Sequence, residues 1–121
     1  MGDLSKNFSR SEFKCKCGKC RQVGPPQELI DVLQDVRDHF GNAVTVNSGH
    51  RCKAYNKRVG GAEKSQHIKG NAADITVYGV TNYGVQEYLL SKYEGRYGIG
   101  RYNGFTHIDV RPGPARWDNR S

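Results

Sequence analysis

The chain has 121 residues, 36% hydrophobic and 26% charged, which bounds it to one domain with a modest core. That balance excludes a disordered or collagen-like chain, and no apolar run reaches the ~18 residues of a membrane span. Nineteen Lys and Arg against twelve Asp and Glu give a net charge of +7, so a polyanionic partner is expected.

The first ten residues, MGDLSKNFSR, contain no apolar stretch, and no secretory leader is expected there. Residues 1–24 read as irregular, except for one turn of helix at Phe8-Ser9-Arg10-Ser11-Glu12-Phe13. Pro25-Pro26 punctuate the chain, and Pro26 suits the first turn of a helix. From Glu28 to Phe40, the residues Leu29, Ile30, Leu33, Val36 and Phe40 recur at the helical period, and Gly41 is the expected stop. His39 borders that face and reads as structural. Residues 43–47 predict a strand, Ser48-Gly49 turn it, and Lys53 to Arg58 predict a short helix broken by Val59-Gly60-Gly61. Ala72 to Val77 predict a second strand, ended by Gly79. Thr81 caps a helix running to about Tyr93, with Val85, Tyr88, Leu89 and Tyr93 on one face. Two more strands, Gly98 to Tyr102 and Phe105 to Val110, flank the hairpin signal Asn103-Gly104. Arg111-Pro112-Gly113-Pro114 then ends the regular structure. This order predicts an α+β fold over residues 1–121, a small antiparallel sheet packed with helices.

The cysteines are Cys15, Cys17, Cys20 and Cys52. They could pair as disulfides, hold a structural metal or remain thiols, and the spacing does not choose among these. The basic residues are scattered, and no helix-turn-helix, RNA-recognition or zinc-finger pattern accompanies them, so no specific nucleic-acid binding is expected. An anionic wall polymer fits the charge equally well, and so does a solvated surface.

The most informative stretch is Ser65-Gln66-His67-Ile68-Lys69-Gly70-Asn71-Ala72-Ala73-Asp74-Ile75. His67 sits in a loop or turn before the second strand, Asp74 sits on that strand, and small residues between them let the chain fold back. Imidazole and carboxylate form a good zinc pair that needs a third ligand, and His107 on the last strand is the candidate. Two histidines and one carboxylate leave a position for water, the composition of a hydrolytic zinc site. Asp109 shares the face of His107, because residues two apart on a strand point the same way. It is the expected general base, or it orients a ligand. Arg51, just past the first strand, can grip a substrate carboxylate through two parallel N–H bonds, and His50 adjoins it. Taken singly, each of these is more commonly a satisfied strand residue, a cap or a solvated charge. Gly98-Ile99-Gly100 is a fragment of a phosphate-loop pattern without its strand–loop–helix context, and is set aside.

These motifs together carry a resemblance. The segments are Phe8 to Phe13, Asn47-Ser48-Gly49-His50-Arg51, Tyr55 to Ala62, Ser65 to Asp74, Gly98 to Tyr102, Phe105 to Arg111 and Ala115-Arg116-Trp117. The chain resembles the D-alanyl-D-alanine carboxypeptidase-like zinc peptidases of bacterial peptidoglycan, and is most similar to the compact branch common in phages and wall lytic proteins. The resemblance implies that His67, Asp74 and His107 bind one catalytic zinc, that Arg51 clamps the substrate and that Ser65 adjoins the scissile bond. His50 stands where the motif often carries Tyr. Gly104 stands where better-known relatives carry an acid, three residues before the last histidine, which leaves Asp109 as the expected base. The implied function is zinc-dependent hydrolysis of a peptide bond in peptidoglycan stem peptides or cross-links, next to a D-amino acid. The chain is expected to act as a monomer, at the bacterial wall or periplasm. The same framework also occurs in a signalling domain that works mainly by binding. The alternative is therefore a non-catalytic, zinc-containing wall-binding or phage structural module.

Overall fold

The computed structural model describes residues 5–17, 25–60 and 65–120, and Cys20, Gly61 and Ala62 of the readings above lie outside them. After a 3-10 turn at Arg10–Phe13 the elements are α1 (Gln27–Phe40), β1 (Val44–Ser48), α2 (Lys53–Arg58), α3 (Gln66–Lys69), β2 (Ala72–Val77), α4 (Asn82–Lys92), β3 (Gly98–Arg101), β4 (Thr106–Asp109) and β5 (Ala115–Asp118). The fold is α+β. Among the described residues no helix is long and apolar enough to cross a membrane.

The sheet order is β1-β2-β4-β3-β5. The first four strands in that order pair antiparallel, but β5 lies parallel to β3. The sheet is therefore mixed, and the expectation of a purely antiparallel one is corrected. The expectation that regular structure ends at Pro114 fails for the same reason. Ala115-Arg116-Trp117-Asp118 alternates apolar and polar, but over only four residues directly after Pro114, a run that the proline-rich stop signal masks. Its ladder partners make it a strand: Ala115 N donates to Tyr97 O at 2.9 Å, and Asn119 N to Arg101 O at 2.8 Å.

α1 buries Leu29, Ile30, Val32, Leu33 and Val36, and it ends at Gly41, whose φ of 68° is the left-handed cap. With Val85 and Leu89 of α4, these side chains pack against Ala73, Ile75, Val77, Ile99 and Ile108 on one face of the sheet. Thr81 caps α4 as expected, its hydroxyl accepting from Gly84 N at 3.0 Å. The buried face of α4 differs from expectation at two positions. Gln86 is 0% exposed, and Tyr88 is only half-buried. The Gln86 amide donates to Tyr102 O at 3.0 Å and Phe105 O at 3.3 Å, so it satisfies the carbonyls that flank the Asn103-Gly104 hairpin.

Tyrosines tie the region around α4 to α1. The hydroxyls of Tyr88 and Tyr93 donate to Asp35 at 2.8 and 3.0 Å, and Tyr97 donates to Glu28 at 2.8 Å. Burial first, then the bond to Asp35, pushes the Tyr88 hydroxyl up to about 12 and raises Tyr93 as well. A raised folded pKa stabilises the fold below the unfolded value of 10.0 and is lost as pH rises through the folded value. The thermal midpoint should therefore fall between pH 10 and 12, and Tyr93→Phe should flatten that fall in a calorimetric pH series.

Candidate metal centre

Asp74 on β2 stands directly opposite His107 on β4. Cross-strand partners project to one face, so the two side chains share a side of the sheet. The same row continues through Ser48 on β1, Gly100 on β3 and Trp117 on β5. This face is opposite the one covered by α1 and α4. The third residue comes from α3, a single helical turn where a loop or turn was expected. Ser65 caps that turn, its hydroxyl accepting from His67 N at 3.1 Å. Gly70 ends it with a φ of 79°, and His67 O accepts from Arg51 N at 2.9 Å.

This packing brings His67, Asp74 and His107 together, all buried. Asp74 Oδ1 lies 3.2 Å from His67 Nε2 and 3.0 Å from His107 Nδ1. The remaining nitrogens define the tautomers. His67 Nδ1 lies 2.7 Å from Gly49 O, and a carbonyl only accepts, so the proton sits on Nδ1 and the Nε2 lone pair faces Asp74. His107 Nε2 lies 2.7 Å from Asp109 Oδ2, and in the neutral ring donating there leaves the Nδ1 lone pair facing Asp74. Two imidazole lone pairs and one carboxylate oxygen thus converge, with all three ligand atoms within 4.8 Å of one another. That donor set fits zinc.

Burial opposes the charge on Asp74, but where the rings of His107 and His67 are protonated toward it their hydrogen bonds and charge outweigh burial and hold the carboxyl well below its usual range. Burial likewise opposes a charged His107, and its bonds to Asp109 and Asp74 prevail to raise its pKa.

Asp109 sits behind His107, 0% exposed. Its Oδ1 accepts from Arg111 N at 3.2 Å and Arg111 Nε at 2.8 Å, and its Oδ2 accepts from Arg111 Nη2 at 2.7 Å. Arg51 lies on the other side. It donates to Asp74 Oδ2 at 3.2 Å, Asn56 Oδ1 at 3.0 Å and Ser48 Oγ at 3.2 Å. Both Asp74 oxygens are therefore engaged, Oδ1 toward the histidines and Oδ2 by the guanidinium. A cleft of about 810 Å³ opens over the centre, lined by Arg51, Ser65, His67, Asp74 and His107, with Tyr102, Phe105 and Trp117 as an aromatic wall.

The peptidase M15 family matches residues 6–109, which take in all three converging side chains. The chain belongs to the M15 peptidase family. It is similar to the zinc D-Ala-D-Ala carboxypeptidase of Streptomyces albus G, with 34% identity over 86 residues, 63% of this chain and 31% of that protein. The chain thus spans about a third of the length of the curated relative it matches.

The M15 chain does not bring every sequence candidate to the cleft. His50 is buried and does not line it, and its N–H donates to Phe13 O at 2.9 Å. Burial lowers the pKa of His50 against a backbone bond to Ile68. Conversely, Arg111 and Trp117 were not singled out. The alternation His107, Asp109, Arg111 is a signal for the first, since all three share one strand-like face. Gly98-Ile99-Gly100 is the signal for the second. A Cβ on Gly98 would lie 2.4 Å from Asp109 Oδ2, and one on Gly100 would lie 2.4 Å from Trp117 Nε1. The two glycines of the M15 chain make room for a carboxylate and an indole, not for a phosphate. Trp117 in turn packs 5.0 Å from the His107 ring and donates to Tyr102 Oη at 2.9 Å.

Proposed function

We propose that this chain is a zinc-dependent peptidase of bacterial peptidoglycan, cleaving a stem-peptide or cross-link bond next to a D-amino acid. The observation that supports it is the convergence of His67 Nε2, Asp74 Oδ1 and His107 Nδ1 at the floor of a cleft. These three atoms would hold the metal. Zinc supplies Lewis-acid polarisation of a carbonyl and activation of water near neutral pH. Gly49 O and Asp109 hold the two imidazoles in the ligating tautomer. Three of the five Arg51 N–H groups are engaged by Ser48, Asn56 and Asp74, which leaves two to grip a substrate carboxylate. Ser65 lines the same cleft, and the aromatic wall shields one side from water. The charge of +7 draws the chain to an anionic wall, the proposed site of action.

Asp109 takes a positioning role in this proposal, because both its oxygens are committed and neither reaches the cleft. Asp109→Asn should lower zinc affinity by about 10- to 100-fold, with hydrolysis recovering as zinc is raised. A slow rate at full zinc occupancy would instead make Asp109 the base. The burial of Asp109 also favours a second reading. Asp74 is the one carboxylate lining the cleft among the described residues, so the chain could hold zinc and bind wall polymer without turnover. Release of free amines from purified peptidoglycan by the zinc-loaded chain decides. Steady release supports the peptidase, and binding without release supports the module.

A further inference from the structure

We propose that Cys15, Cys17 and Cys52 form a second metal site, which binds zinc as thiolates and fastens the amino-terminal segment to the start of α2. The three residues belong to segments 35 positions apart, yet Cys17 Sγ lies 3.4 Å from Cys15 Sγ and 3.7 Å from Cys52 Sγ. All three sulfurs fall within 4.8 Å of one another. Tetrahedral thiolates about 2.3 Å from zinc stand ~3.8 Å apart, close to these separations. A disulfide would engage two sulfurs and leave the third beside it, whereas one ion engages all three. Sulfur ligands select zinc over magnesium or calcium.

The surroundings suit negative sulfur. Cys52 N donates to Cys15 Sγ at 3.3 Å, and Tyr55 N donates to Cys52 Sγ at 3.5 Å. Cys15 is buried, and the other two are half-buried, so the site is shielded yet within reach of an ion. Binding releases the thiol protons to solvent, so affinity rises with pH. Cys20 lies outside the described residues, and the site is argued from the three sulfurs that are described.

The site has a structural consequence. Two residues before Cys15, the backbone of Phe13 packs so tightly on Gly49 that a Cβ there would sit 2.7 Å from Phe13 Cα. Phe13 O accepts from His50 N, and Gly49 O holds His67 Nδ1. Pinning Cys15 to Cys52 closes the chain around this contact, and so steadies the carbonyl that orients His67. The thiolate site itself stands apart from the cleft and does not rest on the peptidase reading.

The test uses the full chain, reduced and stripped of metal, titrated with cobalt(II). An intense near-ultraviolet thiolate-to-cobalt band should grow to saturation and be displaced by zinc. The band should persist in a His67→Ala/His107→Ala double variant, which separates this site from the one in the cleft. Cys17→Ser and Cys52→Ser should each lose it. Should those variants fail to fold, the wild type still decides. Zinc should protect Cys15, Cys17 and Cys52 from alkylation, read by mass at each cysteine. No band in folded, reduced protein, equal alkylation with and without zinc, or a native disulfide between any two of the three would overturn the proposal.

Discussion

His67→Ala is expected to lose the bound metal of the cleft and to lower peptide hydrolysis by about 10³-fold or more. The metal's charge stabilisation is worth several kcal/mol, and ~4 kcal/mol corresponds to about three decades of rate. His67 supplies one of three converging donors, and Asp74 with His107 alone offers one oxygen and one nitrogen. The variant also strands Gly49 O, whose described partner is His67 Nδ1 at 2.7 Å. The loss of fold should nonetheless be modest, because His67 sits on a four-residue turn outside the apolar cluster. Zinc per chain, far-ultraviolet circular dichroism and amine release from peptidoglycan check the three parts together. A folded variant with full zinc in the cleft and wild-type hydrolysis would refute the ligand assignment.

Gly98→Ala should destabilise the fold by about 3 kcal/mol, on the order of 10 °C in thermal midpoint, and weaken zinc binding as well. Alanine ordinarily stabilises a strand relative to glycine, by roughly 0.5–1 kcal/mol. Here the new Cβ would lie 2.4 and 2.5 Å from the Asp109 oxygens and 2.7 Å from Arg111 Nε. Asp109 is buried and held by four hydrogen bonds, so it cannot swing aside without breaking the pairs to His107 and Arg111. Breaking a buried pair costs about 3–5 kcal/mol, which outweighs the gain in strand propensity. Gly104→Ala is the matched control, since a Cβ there meets nothing within 4 Å. Its stability should change by less than about 0.5 kcal/mol. Equal midpoints for the two variants would mean that Asp109 is not held as described.

The α+β class and the set of candidate ligands were legible because both rest on local periodicity. Leu29, Ile30, Leu33 and Val36 repeat at the helical period, and all four are buried. His67 and Asp74 are seven residues apart around a tight return, and His107 and Asp109 are two apart on a strand, so short-range geometry already aligns them. Period-2 alternation states which residues share a face, but not which nitrogen of an imidazole a neighbour meets. Asp109 shares the face of His107, yet the tertiary structure puts it on Nε2, away from Asp74.

Other features depended wholly on partners distant in sequence. β5 is a strand because β3 pairs with it, and its four residues carry only one short alternation of their own. Gln86 is buried because two hairpin carbonyls need a donor. The glycines of β3 take their meaning from Asp109 and Trp117 across the ladder, at registers that no single-strand pattern encodes. The C-x-C-x-x-C cluster left disulfide, metal and thiol open. What the fold adds is Cys52, carried 35 positions along the chain to within 3.7 Å of Cys17. Local spacing determined the candidate ligands and the faces they occupy, whereas only chain packing decided what stands on the far side of each one.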